Sequence, residues 1–238
     1  MPTSEEREMK IGIIGAGNIG GALARRFTEL GHEVSIANSR GPDTLREVEA
    51  ETGAAAVAAR EAALGKDVVV VTIPERNVAQ LPDDLFEGVA DDVVVIDTGN
   101  YYPQHRDGRI DEIEAGTPES VWVSQQLGRS VVKAFNNIYA QHLRDHGRPP
   151  GSRDRIALPI AGDPPGKATV MQLAEELGFD AVDAGGLEES WRQQPGTSVY
   201  AADLDADGVR RALAEASPER PADFRATPSS PGSYTDPA

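Results

Sequence analysis

The chain has 238 residues, of which 39% are hydrophobic and 5% aromatic, and this length suits one sizeable α/β domain with a small addition. Lys and Arg number 23 against 39 Asp and Glu, so the formal net charge is −16. Because nucleic acids and anionic membranes both need a basic surface, this balance argues against either as a partner. The chain has no cysteine, which excludes disulfides and thiolate chemistry.

The two ends of the chain differ in composition from the part between them. Residues 1–8 are acidic and lack the apolar core of a signal peptide, which predicts a loose extension. From Ser217 onward Pro, Ser, Asp and Gly dominate, so residues 217–238 are predicted to form a disordered tail. Residues 9–216 are predicted to fold as one domain with a small C-terminal portion. No apolar run reaches the roughly 20 residues that span a bilayer, which favours a soluble cytoplasmic protein.

The first predicted elements surround a glycine-rich turn. The stretch from Lys10 to Gly20 has the pattern of a buried strand that runs into a glycine turn, and apolar residues at helical spacing follow from Ile19. The turn itself is Gly15-Ala16-Gly17-Asn18-Ile19-Gly20, whose glycines have the spacing of a dinucleotide-binding turn. Such glycines permit a tight bend, close approach of a pyrophosphate and close packing of helix on strand, while the first helical N–H groups bind phosphate. The alternative is a glycine-rich turn needed only for packing.

A second strand, predicted at Glu33–Ala37, leads into Asn38-Ser39-Arg40. Proteins that bind NAD usually place Asp or Glu about 20 residues after the glycines, where it holds the ribose 2′-hydroxyl. A carboxylate would repel a 2′-phosphate, whereas Ser39 can donate a hydrogen bond to it and Arg40 can pair with it as a planar fork. We therefore predict NADP as the cofactor. The alternative is that Arg40 is a surface residue that caps a turn.

The rest of the chain alternates predicted strands with predicted helices. Residues 67–73 and 92–97 are nearly continuous apolar runs, as in strands that are buried on both faces. This alternation predicts an α/β fold of the Rossmann type, with a doubly wound, mainly parallel sheet and extra C-terminal strands and helices. The segment 98–118 is long enough for a functional loop or lid. Further helices are predicted at 42–53, 121–127, 137–145, 168–177 and 205–216, and further strands at 54–58, 130–135, 156–161 and 179–183.

In a parallel sheet of this kind the ligand binds where the strands end, along one edge. Thr72-Ile73-Pro74 ends one strand there, and the turn that Pro74 forces would lie beside the ribose and nicotinamide. Asn100 and Asn136 follow the next two strands, and their amides suit hydrogen bonds to a carboxamide or to a second flat ligand. An ordinary turn asparagine or a helix N-cap explains these amides equally well.

Groups that could transfer a proton are few. Lys133 is a weak candidate for a proton donor, and an ion pair or a solvent contact explains it more simply. The four histidines lack the spacing of a metal site or a catalytic pair, so no metal is predicted. Carbonyl reduction usually needs a proton donor, whereas hydride exchange between a nicotinamide and a flavin-like ring needs mainly alignment. This contrast favours an acceptor that is itself a cofactor, on which Tyr101 or Tyr102 could stack unless both are half-buried loop residues.

These segments together resemble the family of deazaflavin-dependent (coenzyme F-420-dependent) NADP oxidoreductases. The matching residues extend over most of the predicted domain: 11–20, 38–40, 71–74, 161–163 and 183–187. The block 132–136 is also similar to the cytoplasmic reductase domain of the six-transmembrane metalloreductases, which pass hydride from NADPH to a flavin. After the sixth strand this chain has Asn136-Asn137-Ile138-Tyr139 where typical deazaflavin reductases have a His-Thr-Ile-Pro-like segment.

The resemblance implies a Rossmann-fold oxidoreductase, usually dimeric, that exchanges hydride between NADPH and a deazaflavin or flavin. It also implies that the glycine turn holds the pyrophosphate, that Ser39 and Arg40 hold the 2′-phosphate, and that residues 72–74 flank the nicotinamide. Two other functions stay open. One is an NADPH-dependent reductase of a small carbonyl or imine, with Lys133 or a loop residue as the proton donor. The other is a non-catalytic NADP-binding sensor.

Overall fold

The computed structural model describes residues 8–232, and within them every helix is too short or too polar to span a bilayer. The strands are β1 (Lys10–Ile14), β2 (Glu33–Ala37), β3 (Ala55–Ala56), β4 (Val68–Val71), β5 (Val94–Asp97), β6 (Val132–Lys133), β7 (Ala157–Ile160) and β8 (Asp180–Asp183). The α-helices are α1 (Asn18–Glu29), α2 (Arg46–Thr52), α3 (Ala59–Ala63), α4 (Glu75–Val78), α5 (Asp111–Glu114), α6 (Glu119–Leu127), α7 (Ala140–Asp145), α8 (Pro164–Glu176) and α9 (Ala206–Glu215). Short 3-10 helices cover Pro42–Leu45, Leu187–Gln193 and Ala222–Phe224, and a π-helical turn covers Pro103–Asp107.

Two parallel sheets organise the fold. The larger has the strand order β3-β2-β1-β4-β5-β6, and β7 pairs with β8 in the smaller. The winding of the larger sheet reverses at β1, as it does in doubly wound α/β proteins. The sheets meet where Lys133 and Ala161 form an isolated antiparallel bridge. The predicted Rossmann-type fold, with its additional C-terminal strands and helices, is confirmed.

The large sheet is buried on both faces, which explains its continuous apolar strands. Successive side chains point to opposite faces, so Ile11, Ile13 and Val70 pack into one core with α1, α7 and α8. On the other face Val71 packs with residues of α6, and Val69 packs with residues of α3. The helices on both faces hold the strand ends in fixed positions.

The register of the strands brings their carboxyl ends together. Ile14 lies opposite Ala37 and Val71, Val71 lies opposite Asp97, and Asp97 lies opposite Lys133. The chain therefore leaves β1, β2, β4, β5 and β6 along a single edge, called the carboxyl edge below. The segments collected there are 15–20, 38–40, 72–74, 98–100 and 134–136.

Several elements differ in extent from the prediction. The strand predicted over 130–135 is reduced to β6, and the helix predicted over 137–145 begins only at Ala140. Phe135 has a φ of 59°, a left-handed conformation that ends an extended strand. The helices α3 and α4 were not predicted, because five and four residues show too little periodicity.

Residues 217–232 differ from the disordered tail that their composition predicts. They lie against the segment 98–118, where Gln104 donates from Nε2 to two backbone carbonyl oxygens of the tail at 3.0 and 2.9 Å. The guanidinium of Arg220 forms an ion pair of 2.9 Å with the buried Glu119. These contacts are polar and join distant parts of the chain, so composition does not reveal them. The remainder of the predicted tail lies outside the described residues.

Candidate cofactor-binding site

The glycine turn is packed so closely that two of its glycines admit no side chain. Gly15 has a φ of 119°, and a Cβ atom there would lie 2.2 Å from the carbonyl oxygen of Thr72. At Gly20 a Cβ atom would lie 2.0 Å from the carbonyl oxygen of Gly15. Both positions therefore require glycine for the bend and for the packing of α1 on the sheet.

Gly17 requires a different explanation, because no described residue occupies the space that its side chain would fill. A Cβ atom would meet no heavy atom within 4 Å, and the φ of −80° is open to any residue. Gly17 is also the N-cap of α1, whose first turn contains no acidic residue. Backbone N–H groups and the helix dipole favour an anion at such a position. Binding of a pyrophosphate in front of Gly17 stays a prediction.

A groove of about 500 Å³ begins at the glycine turn and follows α1. Arg25 of α1 and Arg144 of α7 line this groove. Arg25 lies 3.9 Å from Glu51, and Arg144 donates to Asp145 at 2.9 Å. Both guanidinium groups are thus paired with carboxylates, and Glu51 itself lines the groove, so charges of both signs lie beside the turn.

The turn after β2 is shaped by Asn38. Its Oδ1 accepts a hydrogen bond from the backbone N–H of Arg40 at 2.9 Å, and its Nδ2 donates to the hydroxyl of Thr44 at 2.9 Å. Ser39 and Arg40 are exposed, and within residues 8–232 no carboxylate lies within ion-pair distance of the Arg40 guanidinium. The side chains of Ser39 and Arg40 are therefore available to an outside ligand.

The segment Thr72-Ile73-Pro74 lies directly beside the glycine turn. The N–H of Thr72 donates to the carbonyl oxygen of Ile14 at 2.9 Å. All three residues of the segment are half-buried, and Pro74 is the N-cap of α4. The segment thus forms a wall of the carboxyl edge between the ends of β1 and β5. Its contact with a nicotinamide stays a prediction.

The amides of Asn100 and Asn136 meet each other across the carboxyl edge. Asn100 donates from Nδ2 to the carbonyl oxygen of Asn136 at 2.8 Å. Asn136 donates from Nδ2 to Oδ1 of Asn100 at 3.1 Å and to the carbonyl oxygen of Gln193 at 2.7 Å. Gln193 in turn donates from Nε2 to Oδ1 of Asn136 at 3.0 Å. The polar atoms of Asn136 are thus engaged within the chain, and they hold the ends of β5 and β6 together.

Lys133 is fully buried beneath the carboxyl edge. Its Nζ donates to the carbonyl oxygen of Gly99 at 2.6 Å and lies 3.4 Å from Asp97 and 3.8 Å from Glu119. Burial disfavours the ammonium ion, but the surrounding carboxylates outweigh this effect and raise the pKa of Lys133. Lys133 is therefore a charged member of a buried ion-pair network, which agrees with its simpler interpretation, and a role as proton donor stays a prediction.

Glu75 belongs to the same network, and no sequence pattern identifies it. Neither of its carboxyl oxygens has a hydrogen-bond partner within residues 8–232. Complete burial, together with the nearby Asp97 carboxylate, raises the pKa of Glu75 well above its ordinary value. This shift favours the protonated form of Glu75. The remaining charges balance, with Lys133 and Arg220 against Asp97 and Glu119.

Tyr101 and Tyr102 have different surroundings. Tyr101 is fully buried, and its hydroxyl donates to Glu114 and accepts from the backbone N–H of Ile110, both at 3.0 Å. It cannot stack on a ligand. Tyr102 is half-buried, and its hydroxyl forms a hydrogen bond with that of Tyr200. Burial raises the pKa of Tyr200 above its ordinary value, which keeps this hydroxyl protonated.

Comparison with known proteins identifies a family for the N-terminal part of the chain. Residues 10–101 match the family model described as NADP oxidoreductase, coenzyme F420-dependent. The matched region contains the glycine turn, the Asn38 turn and residues 72–74. Residues 10–101 of the chain belong to this family of NADP oxidoreductases.

Three relatives illustrate how far the similarity extends. A hypothetical protein from Sinorhizobium meliloti is 32% identical with a TM-score of 0.69, over 84% of this chain and 96% of that one. A protein from Arthrobacter sp. FB24, described as an F420-dependent NADP reductase, is 24% identical with a TM-score of 0.61, over 75% and 86% of the two chains, and this likeness shows the fold alone. The Escherichia coli (strain K12) protein YjhV is 49% identical over 73 residues, which span 30% of this chain and about half (53%) of that protein.

The family match ends at residue 101. Asn136, Gln193 and Tyr200 all lie beyond residue 101. These residues complete the carboxyl edge, or adjoin it, from the C-terminal part of the chain. The family match therefore includes the glycine turn and the segments 38–40 and 72–74, and it does not extend to residues 102–238.

Proposed function

We propose that this chain transfers hydride between NADPH and a deazaflavin or flavin-like acceptor. The observation that carries the proposal is the space at Gly17 in front of α1, which the packing of the chain does not explain. The family match supports NADP as the nucleotide. The exposed Ser39 and Arg40 provide the hydroxyl and guanidinium groups that a 2′-phosphate requires.

The chain's own residues act by binding and positioning. The nicotinamide of a bound NADPH would supply the hydride. The N–H groups at the start of α1 would hold the pyrophosphate, and Thr72-Ile73-Pro74 would form a wall beside the nicotinamide. The hydrogen bonds between Asn100 and Asn136 fix the ends of β5 and β6 relative to each other. A fixed surface of this kind favours the alignment that hydride transfer needs.

The state of the buried acid and base groups supports a cofactor-like acceptor. Lys133 is enclosed and fully paired, and Glu75 is fully buried. Neither group offers a proton to a bound substrate. An acceptor ring that itself stabilises the transferred hydride does not require a proton donor in the site.

One observation favours a second candidate function, the reduction of a small carbonyl or imine. The hydroxyls of Tyr102 and Tyr200 form a half-buried hydrogen-bonded pair. Tyr102 follows Asn100 closely at the carboxyl edge, and a protonated tyrosine can act as a general acid toward a developing alkoxide or amide ion. In this second function Tyr200 or Tyr102 takes the place of Lys133 as proton donor.

A screen of acceptors tests the proposed function directly. The purified chain is incubated with NADPH and, in separate reactions, with a deazaflavin, FMN, small ketones and cyclic imines, and loss of NADPH absorbance is followed. We expect the fastest oxidation with the deazaflavin and slower oxidation with FMN. Faster turnover with a ketone or imine, lost in Tyr200→Phe, would support the second function. Tight NADPH binding without turnover on any acceptor would contradict both and indicate a sensor.

The 2′-phosphate assignment has its own test in Arg40→Ala. Loss of a charge-assisted fork should weaken NADPH binding by about tenfold or more and leave NADH binding nearly unchanged. Isothermal titration with each nucleotide measures the two affinities. Arg46→Ala is the matched control, because Arg46 is an exposed arginine nearby that pairs with Asp43. Equal losses for NADPH and NADH in Arg40→Ala would contradict the assignment.

We also propose that the protein is a cytoplasmic homodimer. The homodimer rests only on the resemblance given above, and the cytoplasmic location rests on composition. Light scattering coupled to size-exclusion chromatography gives the mass in solution, and a monomer mass would contradict the homodimer.

A further inference from the structure

Helix α7 and the turn that precedes α9 bring together two histidines and one aspartate. His142 and His146 are separated by one turn of helix, and their rings are stacked with centroids 4.4 Å apart and an interplanar angle of 11°. Asp203 approaches from the distant turn, with Oδ2 at 2.5 Å from Nδ1 of His142. One ligand atom from each residue lies within 4.8 Å of the others.

We propose that His142, His146 and Asp203 form a binding site for one divalent transition-metal ion of the Zn²⁺ type. Two imidazole nitrogens and one carboxylate oxygen are a donor set that Zn²⁺ accepts, with water as the fourth ligand. Bonds of about 2.0–2.2 Å around a tetrahedral ion place the ligand atoms about 3.3–3.5 Å apart. Atoms already within 4.8 Å of one another reach that spacing by small side-chain rotations.

The contact between His142 and Asp203 is not an ordinary hydrogen bond. Although the two atoms are only 2.5 Å apart, Nδ1 of His142 has no hydrogen-bond partner of acceptable alignment within residues 8–232. At 2.5 Å the two atoms are closer together than two ligands of one ion, so they would move apart to about 3.3–3.5 Å to bind it.

The charge around the site also favours a cation. Within residues 8–232 no Lys or Arg forms an ion pair with Asp203, whose carboxylate is paired with His142 alone. The net charge of −16 adds a favourable long-range field. The turn is already fixed to the chain before α7, because the N–H of Ala201 donates to the carbonyl oxygen of Asn137 at 2.9 Å. A bound ion would therefore join α7 to a turn that is held in place.

The site was not visible in the sequence. The expectation that no two histidines have the spacing of a metal site was wrong for His142 and His146, which lie one helical turn apart. A pair of histidines alone does not form a site, and the third ligand lies 57 residues further along the chain. The prediction that no metal binds is therefore replaced by this proposal.

The test uses the full chain without a polyhistidine tag, freed of metal with a chelator and then titrated with ZnCl₂. We expect one Zn²⁺ ion per chain by calorimetry. At a hundredfold excess over the dissociation constant, we expect a melting temperature raised by about 5–10 °C. His142→Ala, His146→Ala and the isosteric Asp203→Asn should each weaken binding at least tenfold. His105→Ala is the matched control, because His105 is exposed and lies outside the cluster, and its affinity should equal that of the unaltered chain.

Two further measurements keep the proposal open to refutation. Co²⁺ in place of Zn²⁺ should give visible absorption bands of low-coordinate geometry that disappear in Asp203→Asn, and Mg²⁺ should leave the melting temperature unchanged, since it does not favour imidazole. Circular dichroism establishes that each variant is folded. The proposal is overturned if the unaltered chain binds no Zn²⁺, or if folded Asp203→Asn and His142→Ala bind it as tightly as His105→Ala does.

Discussion

Gly17 and Gly20 belong to one turn but are glycines for different reasons. In Gly17→Ala the added Cβ meets no atom of the described chain, so the free energy of unfolding should change by about 1 kcal/mol or less, as expected for an N-cap glycine. The methyl group would occupy the space proposed for the pyrophosphate, and NADPH affinity should fall at least tenfold, by about 1.4 kcal/mol.

Gly20→Ala is the matched comparison within the same turn. Its Cβ would lie 2.0 Å from the carbonyl oxygen of Gly15, so it should lower the free energy of unfolding by about 1–3 kcal/mol in addition to weakening NADPH binding. Urea unfolding and calorimetry separate the two quantities. If Gly17→Ala bound NADPH as tightly as the unaltered chain, the argument from Gly17 would fail.

Glu75 should make the stability of the protein depend on pH. Its pKa is raised in the folded chain, so the folded state binds more protons than the unfolded state once the pH exceeds the ordinary carboxyl value near 4.3. Stability should therefore fall as the pH rises from there to the pKa of the folded state, by about 1.4 kcal/mol for each pH unit.

Glu75→Gln keeps the shape of the protonated side chain and removes its titration. We expect the variant to match the unaltered chain near pH 4.5 and to exceed its stability progressively toward pH 8, as measured by urea unfolding across this range. Glu87→Gln, an exposed carboxylate near Arg60, serves as the control. The measured quantity is the stability of Glu75→Gln minus that of the unaltered chain. If this difference were smaller at pH 8 than at pH 4.5, the result would show that Glu75 is ionised when buried.

At the scale of single residues, the sequence predicted those features that are encoded by neighbouring residues in the chain. The glycine spacing and the Asn38-Ser39-Arg40 turn are contiguous, so both could be predicted. Glu75, Tyr200 and Asp203 acquire their surroundings from distant segments, and nothing adjacent to them indicates burial or partners. Asn136 was predicted to bind the cofactor, but its amide is engaged with Asn100 and Gln193, which only the folded chain shows.

At the scale of elements, the segment 217–232 contributes to the fold through Arg220. Its guanidinium pairs with the buried Glu119 at 2.9 Å and lies 5.3 Å from the ring centre of Tyr101. In Arg220→Met only Lys133, at 3.8 Å, remains near the Glu119 carboxylate. We expect a loss of about 3 kcal/mol in the free energy of unfolding, because removing one partner leaves a buried charge poorly compensated.

Thermal and urea unfolding measure this loss. Arg210→Met is the control, since Arg210 forms an exposed pair with Asp207 that contributes less than about 1 kcal/mol. Equal stability of the Arg220 and Arg210 variants would mean that the tail segment adds nothing to the folded state.

The lengths of elements were harder to predict than their order. Alternation of apolar strands and helices indicated the parallel sheet correctly, because burial on both faces leaves a continuous signal. The end of β6 depended on the left-handed conformation of Phe135, and the composition of the tail concealed specific polar contacts. A backbone conformation decided the first feature, and contacts with a distant segment decided the second.

At the scale of the whole molecule, the net charge of −16 should set the response to salt. Repulsion between like charges destabilises a compact state, and raising NaCl from about 10 to about 200 mM shortens the screening length enough to weaken it. We expect the melting temperature to rise by a few degrees over this range at pH 7.5. The buried network around Lys133 is shielded from solvent and should respond little. A falling melting temperature would show that exposed ion pairs outweigh the repulsion.

The turn at Asn38 has a consequence for how the protein can evolve. Its shape depends on the Asn38 side chain, which binds the backbone of Arg40 and the hydroxyl of Thr44. The side chains at positions 39 and 40 take no part in maintaining that shape, and both are exposed. Mutations there can change nucleotide preference while the backbone of the turn stays the same. Lineages that share this fold could therefore gain or lose selectivity for the 2′-phosphate through one or two codon changes, without passing through an unfolded intermediate.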